Sequence, residues 1–127
     1  MNQAVIGIGS NIEPTVNIPK AINRIAENHR IIRESRLVET EPLAGRQQPN
    51  YLNGAILIQT VMDLDELKNW LRTVEDELGR SRTGDRYESR TIDLDIVVWG
   101  GTIVDSDVYE REFLKAAIRE VCPQLMI

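Results

Sequence analysis

Apolar residues along the chain recur with two different periods, and the alternation between them outlines the elements. "AVIGI", Ala4 to Ile8, is a short apolar run closed by "GSN", whose serine and asparagine can bond the local backbone, so it reads as a first strand followed by a turn. From Asn17 onward Ile18, Ala21, Ile22 and Ile25 return at helical spacing, which predicts a first helix to about Asn28. "IIRESRLVET", Ile31 to Thr40, and "YLNGAILIQT", Tyr51 to Thr60, are strand-like. The link between them, "EPLAGRQQPN", is rich in Pro, Gly and Gln and long for a hairpin, as a functional loop would be. Asp63 and Glu66 have the spacing of a capping box, and Leu64, Leu67, Leu71, Val74 and Leu78 form an apolar stripe that ends before Gly79. A second helix is therefore predicted over Leu64 to Leu78. An arginine-rich loop follows, then a strand from Thr91 to Trp99, a Gly-Gly turn, a short strand at Thr102 to Val104, and a last helix from about Asp107 to Val121 stopped by Pro123.

Strand, helix, strand, strand, helix, strand is the order of a ferredoxin-like βαββαβ fold. The predicted class is α+β, an antiparallel sheet with helices packed on it and an extra C-terminal helix placed elsewhere. With 127 residues the chain fits one domain, 1–127, able to bury a core without disulfides or a structural metal. Such folds host many activities, so function has to be read from the site.

Composition narrows the classes. An apolar content of 42% and a charged content of 28% are those of a globular protein, and no signal peptide or membrane span is expected from "MNQAVIGIGS". The one cysteine, Cys122, fits a reducing cytoplasm. A net charge of −5 disfavours nucleic acid as a partner of the whole surface. Locally the balance reverses: Arg80, Arg82, Arg86 and Arg90 stand against Asp85 and Glu88, a concentration of arginine suited to an anion.

The chemistry concentrates in "SRTIDLDIVVWG", Ser89 to Gly100. Strand alternation puts Ile92, Leu94, Ile96 and Val98 on one face and Asp93, Asp95, Val97 and Trp99 on the other. The two aspartates then lie roughly 7 Å apart at the backbone, and their repulsion calls for a cation or a shared proton. Magnesium fits, because it takes one or two carboxylates and completes its shell with water and phosphate oxygens. Taken alone, a D-x-D strand is more readily a solvated sheet face. With arginines beside it, it has the parts that phosphoryl transfer needs. The helix C-terminus before that loop repels phosphate, so guanidinium groups must carry the anion. His29, the single histidine, reads as a surface or cap residue, which excludes a histidine zinc site. No Walker loop is present, and "GIGSN" reads as a turn.

Five segments, "IGSNI", "VETEPLAGRQQPNYLNGAI", "VEDELGRSR", "SRTIDLDIVVWG" and "EREFL", together resemble the 6-hydroxymethyl-7,8-dihydropterin pyrophosphokinase family of folate biosynthesis, in family order over about the first 115 residues. The resemblance implies transfer of pyrophosphate from ATP to a pterin alcohol, with ATP as co-substrate, two magnesium ions, and a cytoplasmic monomer without nucleic-acid or membrane partners. It implies that Asp93 and Asp95 hold the metals and, with Arg80 and Arg90, form the catalytic set. Glu75, Arg80, Arg82, Arg90 and Arg111 would bind ATP. Thr40, Pro42, Leu43, Tyr51, Asn53 and Phe113 would bind the pterin. Taken alone, Tyr51 and Phe113 read as core aromatics and Glu75 as a helix-surface residue. This chain departs from the family pattern in lacking the histidine-bearing segment after the short strand, in carrying Tyr87 in place of a loop tryptophan, and in ending short of a typical member. Two further readings stay open: a pterin-binding or regulatory paralogue that has lost ATP-dependent activity, and related pyrophosphoryl transfer to a different alcohol.

Overall fold

A computed structural model describes residues 1–42, 47–82, 88–125 and 127. Its elements are β1 (Asn2–Ser10), α1 (Pro14–Asn28), β2 (Arg30–Glu34), β3 (Val38–Thr40), β4 (Tyr51–Thr60), α2 (Leu64–Glu77), β5 (Asp93–Trp99), β6 (Thr102–Ile103), a 3-10 turn at Ser106–Tyr109, and α3 (Glu112–Val121). The strands form one antiparallel sheet in the order β2-β4-β1-β5-β6, with β3 also paired to β4. The α+β, ferredoxin-like expectation holds: β1 is central, flanked by β4 and β5, as the split βαβ connection requires. Among the described residues no helix is long and apolar enough to cross a membrane.

The sheet is covered on both faces. One face packs Ala4, Ile6, Ile8, Ile56, Ile58, Ile92 and Leu94 against Ile18, Ala21 and Ile25 of α1 and Leu67, Leu71 and Val74 of α2. The other packs Val5, Ala55, Leu57, Val97 and Val98 against Leu114, Ala117, Ile118 and Val121 of α3. The C-terminal helix thus takes the face that α1 and α2 leave open.

Local chemistry explains the boundaries, including those the sequence pattern misplaced. Helix α1 starts at Pro14 rather than near Asn17, since a first-turn proline lacks only an N–H that has no helical partner there. The capping box of α2 forms as expected: Glu66 N–H donates to Asp63 Oδ1 at 2.8 Å and Asp63 N–H to Glu66 Oε1 at 3.1 Å. The expected strand over Ile31 to Thr40 is broken into β2 and β3. The chain crosses Gly54 so closely at the break that a Cβ there would lie 2.8 Å from Leu37 and 2.9 Å from the Ser35 hydroxyl. The predicted last helix divides into the 3-10 turn and α3, parted by Glu110 and Arg111.

Strand β5 also differs from strict alternation. Val5 pairs with Val98 but Ile6 with Ile96, so Val97 is an extra residue, a β-bulge. Val97 and Val98 consequently both face α3, and Trp99 moves to the face opposite Asp93 and Asp95.

Candidate active site

Helix α3 covers only part of its sheet face, and the remainder is the floor of a cleft of about 220 Å³. The antiparallel register builds that floor. Gly7 lies between Ala55 and Asp95, and Gly9 between Asn53 and Asp93, so two residues without side chains open the space that flanking strands line. The "GIGSN" segment is therefore not a turn: β1 runs through to Ser10. A Cβ on Gly9 would stand 2.7 Å from Asn53 Oδ1, so the close approach requires glycine. Tyr51, Asn53, Asp93 and Asp95 line the cleft from β4 and β5, Thr40 from β3, and Arg111 and Phe113 from the start of α3. Arg90 joins them from the segment before β5.

One end of the cleft is ionic. Asp93 accepts from Arg80 Nη1 on Oδ1 and from Arg90 Nη1 on Oδ2, both at 3.1 Å. Arg80 also donates to Glu75 Oε2 at 2.7 Å, and the same oxygen accepts the Leu94 N–H at 2.8 Å. Arg82 reaches Glu75 Oε1 at 2.7 Å and also pairs with Asp76. Glu75 is thus a buried residue of α2, not a surface one, and it supports Asp93 from behind, outside the cleft lining. Burial works against the Arg80 charge, but the carboxylates of Glu75, Asp93 and Asp95 outweigh it and raise its pKa above the ordinary value. Arg80 Nε is buried without a hydrogen-bond partner among the described residues.

Asp95 is the strained member of the pair. Removal from water and the nearby charges of Asp93, Glu75 and Asp105 push it up to about 7. The residue nevertheless keeps an exposed surface, so solvent relieves much of the first effect and the repulsion from Asp93 is the part that stands. These donors fit magnesium: they are hard oxygens on one strand face, and each Asp93 oxygen keeps a lone pair beyond its arginine bond. Among the described residues no third carboxylate, histidine or cysteine completes a metal cage, so water and phosphate oxygens must fill the shell.

The other end is flatter and less charged. Asn53 Nδ2 donates to Thr40 Oγ1 at 2.6 Å, and the Tyr51 hydroxyl reaches Glu88 O at 3.4 Å. Burial raises the Tyr51 pKa, keeping the phenol neutral. Half-buried Phe113 joins Tyr51 in the lining, offering aromatic surface to a planar ring.

Most sequence-predicted residues therefore meet. Pro42, like Glu75, Arg80 and Arg82, lies outside the lining, and Leu43, like Arg86 and Tyr87 of the arginine segment, lies outside the described residues. Pattern reasoning missed Gln48, Asp105 and Asp107, which line the cleft, and Asn11, which is buried beside it. Asp107 Oδ2 stands 3.4 Å from Arg111 Nη2, tying the 3-10 turn to the start of α3. The signal available for the floor was the pair of glycines at i and i+2 on β1.

The family described as 7,8-dihydro-6-hydroxymethylpterin-pyrophosphokinase matches residues 5–123. The chain is 30% identical, over its full length and 86% of the other protein, to 2-amino-4-hydroxy-6-hydroxymethyldihydropteridine pyrophosphokinase of Haemophilus influenzae. It is 30% identical to the protein of the same name from Bacillus subtilis, with 98% of this chain and 80% of that one aligned. Over 91% of its length it is 36% identical to the folate synthesis bifunctional protein of Arabidopsis thaliana, of which it spans 26%.

Proposed function

Because the chain belongs to the 7,8-dihydro-6-hydroxymethylpterin-pyrophosphokinase family, we propose that it transfers pyrophosphate from ATP to 6-hydroxymethyl-7,8-dihydropterin and releases AMP, in folate biosynthesis. We further propose that it acts as a cytoplasmic monomer, as the single domain 1–127, and with two magnesium ions. The observation that carries the reading is the joining, in one cleft, of an ionic end built on Asp93, Asp95 and Arg90 to an aromatic and amide end built on Tyr51, Phe113 and Asn53.

The acceptor hydroxyl attacks the β-phosphorus, the bond to the α-phosphate oxygen breaks, and AMP leaves with that oxygen. Magnesium held by Asp93 and Asp95 would neutralise charge on the phosphate oxygens and lower the cost of the hydroxyl's deprotonation. Arg80 and Arg90 hold Asp93 in place and present positive charge to the same phosphates, with Arg82 and Arg111 binding further along the nucleotide. Tyr51 and Phe113 flank the pterin plane, and Asn53 and Thr40 offer an amide and a hydroxyl to its hydrogen-bonding edge. Glu75 contributes by fixing Arg80 and Arg82.

The test is AMP release from protein, magnesium, ATP and the pterin alcohol. Turnover that survives the Asp93→Ala, Asp95→Ala double variant would sink the assignment. A second reading, a pterin-binding paralogue without turnover, draws support from the wall at Asp105 and Asp107, which puts two carboxylates in a segment without histidine. Calorimetric binding of the pterin with no AMP formed would select it.

A further inference from the structure

Asn11 is 2% exposed, carries no charge and does not line the cleft, yet it touches both of its ends. It follows the last residue of β1, where the chain leaves the sheet between the ionic and aromatic walls. Its backbone N–H donates to Arg90 O at 3.1 Å, and its side-chain Oδ1 accepts the Arg90 N–H at 2.7 Å. The amide side chain thereby replaces the carbonyl that a paired strand would offer, and holds the backbone of Arg90 from both sides. On its other edge, Nδ2 has two hydrogens facing three acceptors: Pro49 O at 3.3 Å, Gln48 Oε1 at 3.4 Å and Ser89 Oγ at 3.3 Å.

We propose that Asn11 is a positioning residue that fixes the two substrate walls relative to each other. Its oxygen sets Arg90 over Asp93 on the phosphate side, and its nitrogen holds Gln48 and Pro49, and through them Tyr51, on the acceptor side. The assignment of those walls to ATP and the pterin rests on the proposed function; the tether itself does not. Only an amide serves both directions. Aspartate would keep the acceptor for Arg90 N–H but turn a second oxygen toward Pro49 O and Gln48, breaking one side alone. Alanine would break both.

The test uses Asn11→Asp and Asn11→Ala in the full chain, reading steady-state constants for each substrate and amide hydrogen exchange in the ligand-free protein. Asn11→Asp is expected to raise the pterin KM by about tenfold, the effect of leaving a buried acceptor unmatched, while moving the ATP KM by less than about twofold. Asn11→Ala is expected to raise both. In exchange, Asn11→Asp should speed the amides of Gln48 and Tyr51 and leave that of Arg90 slow, whereas Asn11→Ala should speed all three. Equal effects of the two variants on both walls, or a lowered melting temperature with neither constant nor exchange pattern altered, would overturn the role. Wild-type protein that forms no AMP would instead overturn the functional reading, and the exchange pattern would still decide the tether.

Discussion

The Leu94 N–H donates to Glu75 Oε2 at 2.8 Å, so a carboxylate from helix α2 grips the backbone of the strand midway between Asp93 and Asp95. The same oxygen takes the Arg80 guanidinium, which then bonds Asp93. Spacing of the two aspartates, position of Arg80 and docking of α2 on β5 are consequently one arrangement. Removing Glu75 would leave the Leu94 N–H without its acceptor and Arg80 with Asp93 as its one remaining carboxylate partner among the described residues.

Glu75→Ala is accordingly expected to destabilise the protein by about 3 kcal/mol, as the loss of one partner from a buried ion pair does. It should also lower kcat/KM by about a hundredfold, the cost of a small displacement of reacting groups. Glu75→Gln, which keeps an acceptor for Leu94, should recover part of the stability and less of the activity. Urea unfolding and AMP release measured on the same preparations separate the two. Equal loss in both variants would mean that the charge matters and the Leu94 bond does not.

Asp95 yields a prediction with a definite sign. Removal from water and repulsion from Asp93 raise its folded pKa from the ordinary carboxylate value of 3.8 toward about 7, so within that window the folded state holds a proton that the unfolded state has lost. Stability from this group is present at low pH and is lost as pH rises through the window, reaching its full cost above about 7. Magnesium should reverse the cost by replacing the proton. The melting temperature of the wild type relative to Asp95→Asn should fall between pH 5 and 8 in chelator, by on the order of a few degrees, and recover with magnesium. A difference that is flat with pH would contradict the repulsion between Asp93 and Asp95.

Gly9 offers a steric test. Its Cα faces Asn53 in the β1–β4 register, and an added methyl would meet Asn53 Oδ1 at 2.7 Å. Gly9→Ala should push Asn53 off its 2.6 Å bond to Thr40 and raise the pterin KM about tenfold, an overpacking cost on the order of 1–3 kcal/mol. ATP binding should be nearly unchanged. A variant with wild-type pterin affinity would show that Asn53 does not read the acceptor from this position.

What the sequence made legible follows the physics of period and charge. The capping box at Asp63 and Glu66, the α2 stripe and the D-x-D strand are local signals, and each lies where its pattern put it. The missed features depend on pairing across the sheet. The Val97 bulge that turns Trp99 away from Asp93 needs the β1 register, and the break at Ser35 to Leu37 needs Gly54 on a neighbouring strand. Glu75 looked like a surface residue because helix periodicity does not say which strand lies opposite. Asn11 looked like a turn residue because its partners at Gln48, Pro49, Ser89 and Arg90 are 37 to 79 positions away.

His29 was expected as a surface or cap residue; it is the C-cap of α1, its backbone N–H donating to Ile25 O, and it is buried rather than on the surface. Its Nδ1 lies 2.9 Å from Thr60 Oγ1, and its ring meets Trp70 edge-on at 4.4 Å, with the Arg24 guanidinium 5.3 Å from the same indole. Burial first, and then the Arg24 charge, lower its pKa below 6.5. The unfolded chain therefore takes up a proton at a pH where the folded one does not, and stability is lost as pH falls below 6.5. The urea midpoint of the wild type relative to that of His29→Gln should fall from pH 7.5 to pH 5.5, since glutamine can still bond Thr60 but cannot titrate. Because Asp95 acts in the opposite direction over this range, both proteins are best compared in an Asp95→Asn background, where Glu75, whose pKa burial also raises, cancels in the difference. An identical pH response with and without His29 would mean that its ring opens to solvent and protonates in the folded state.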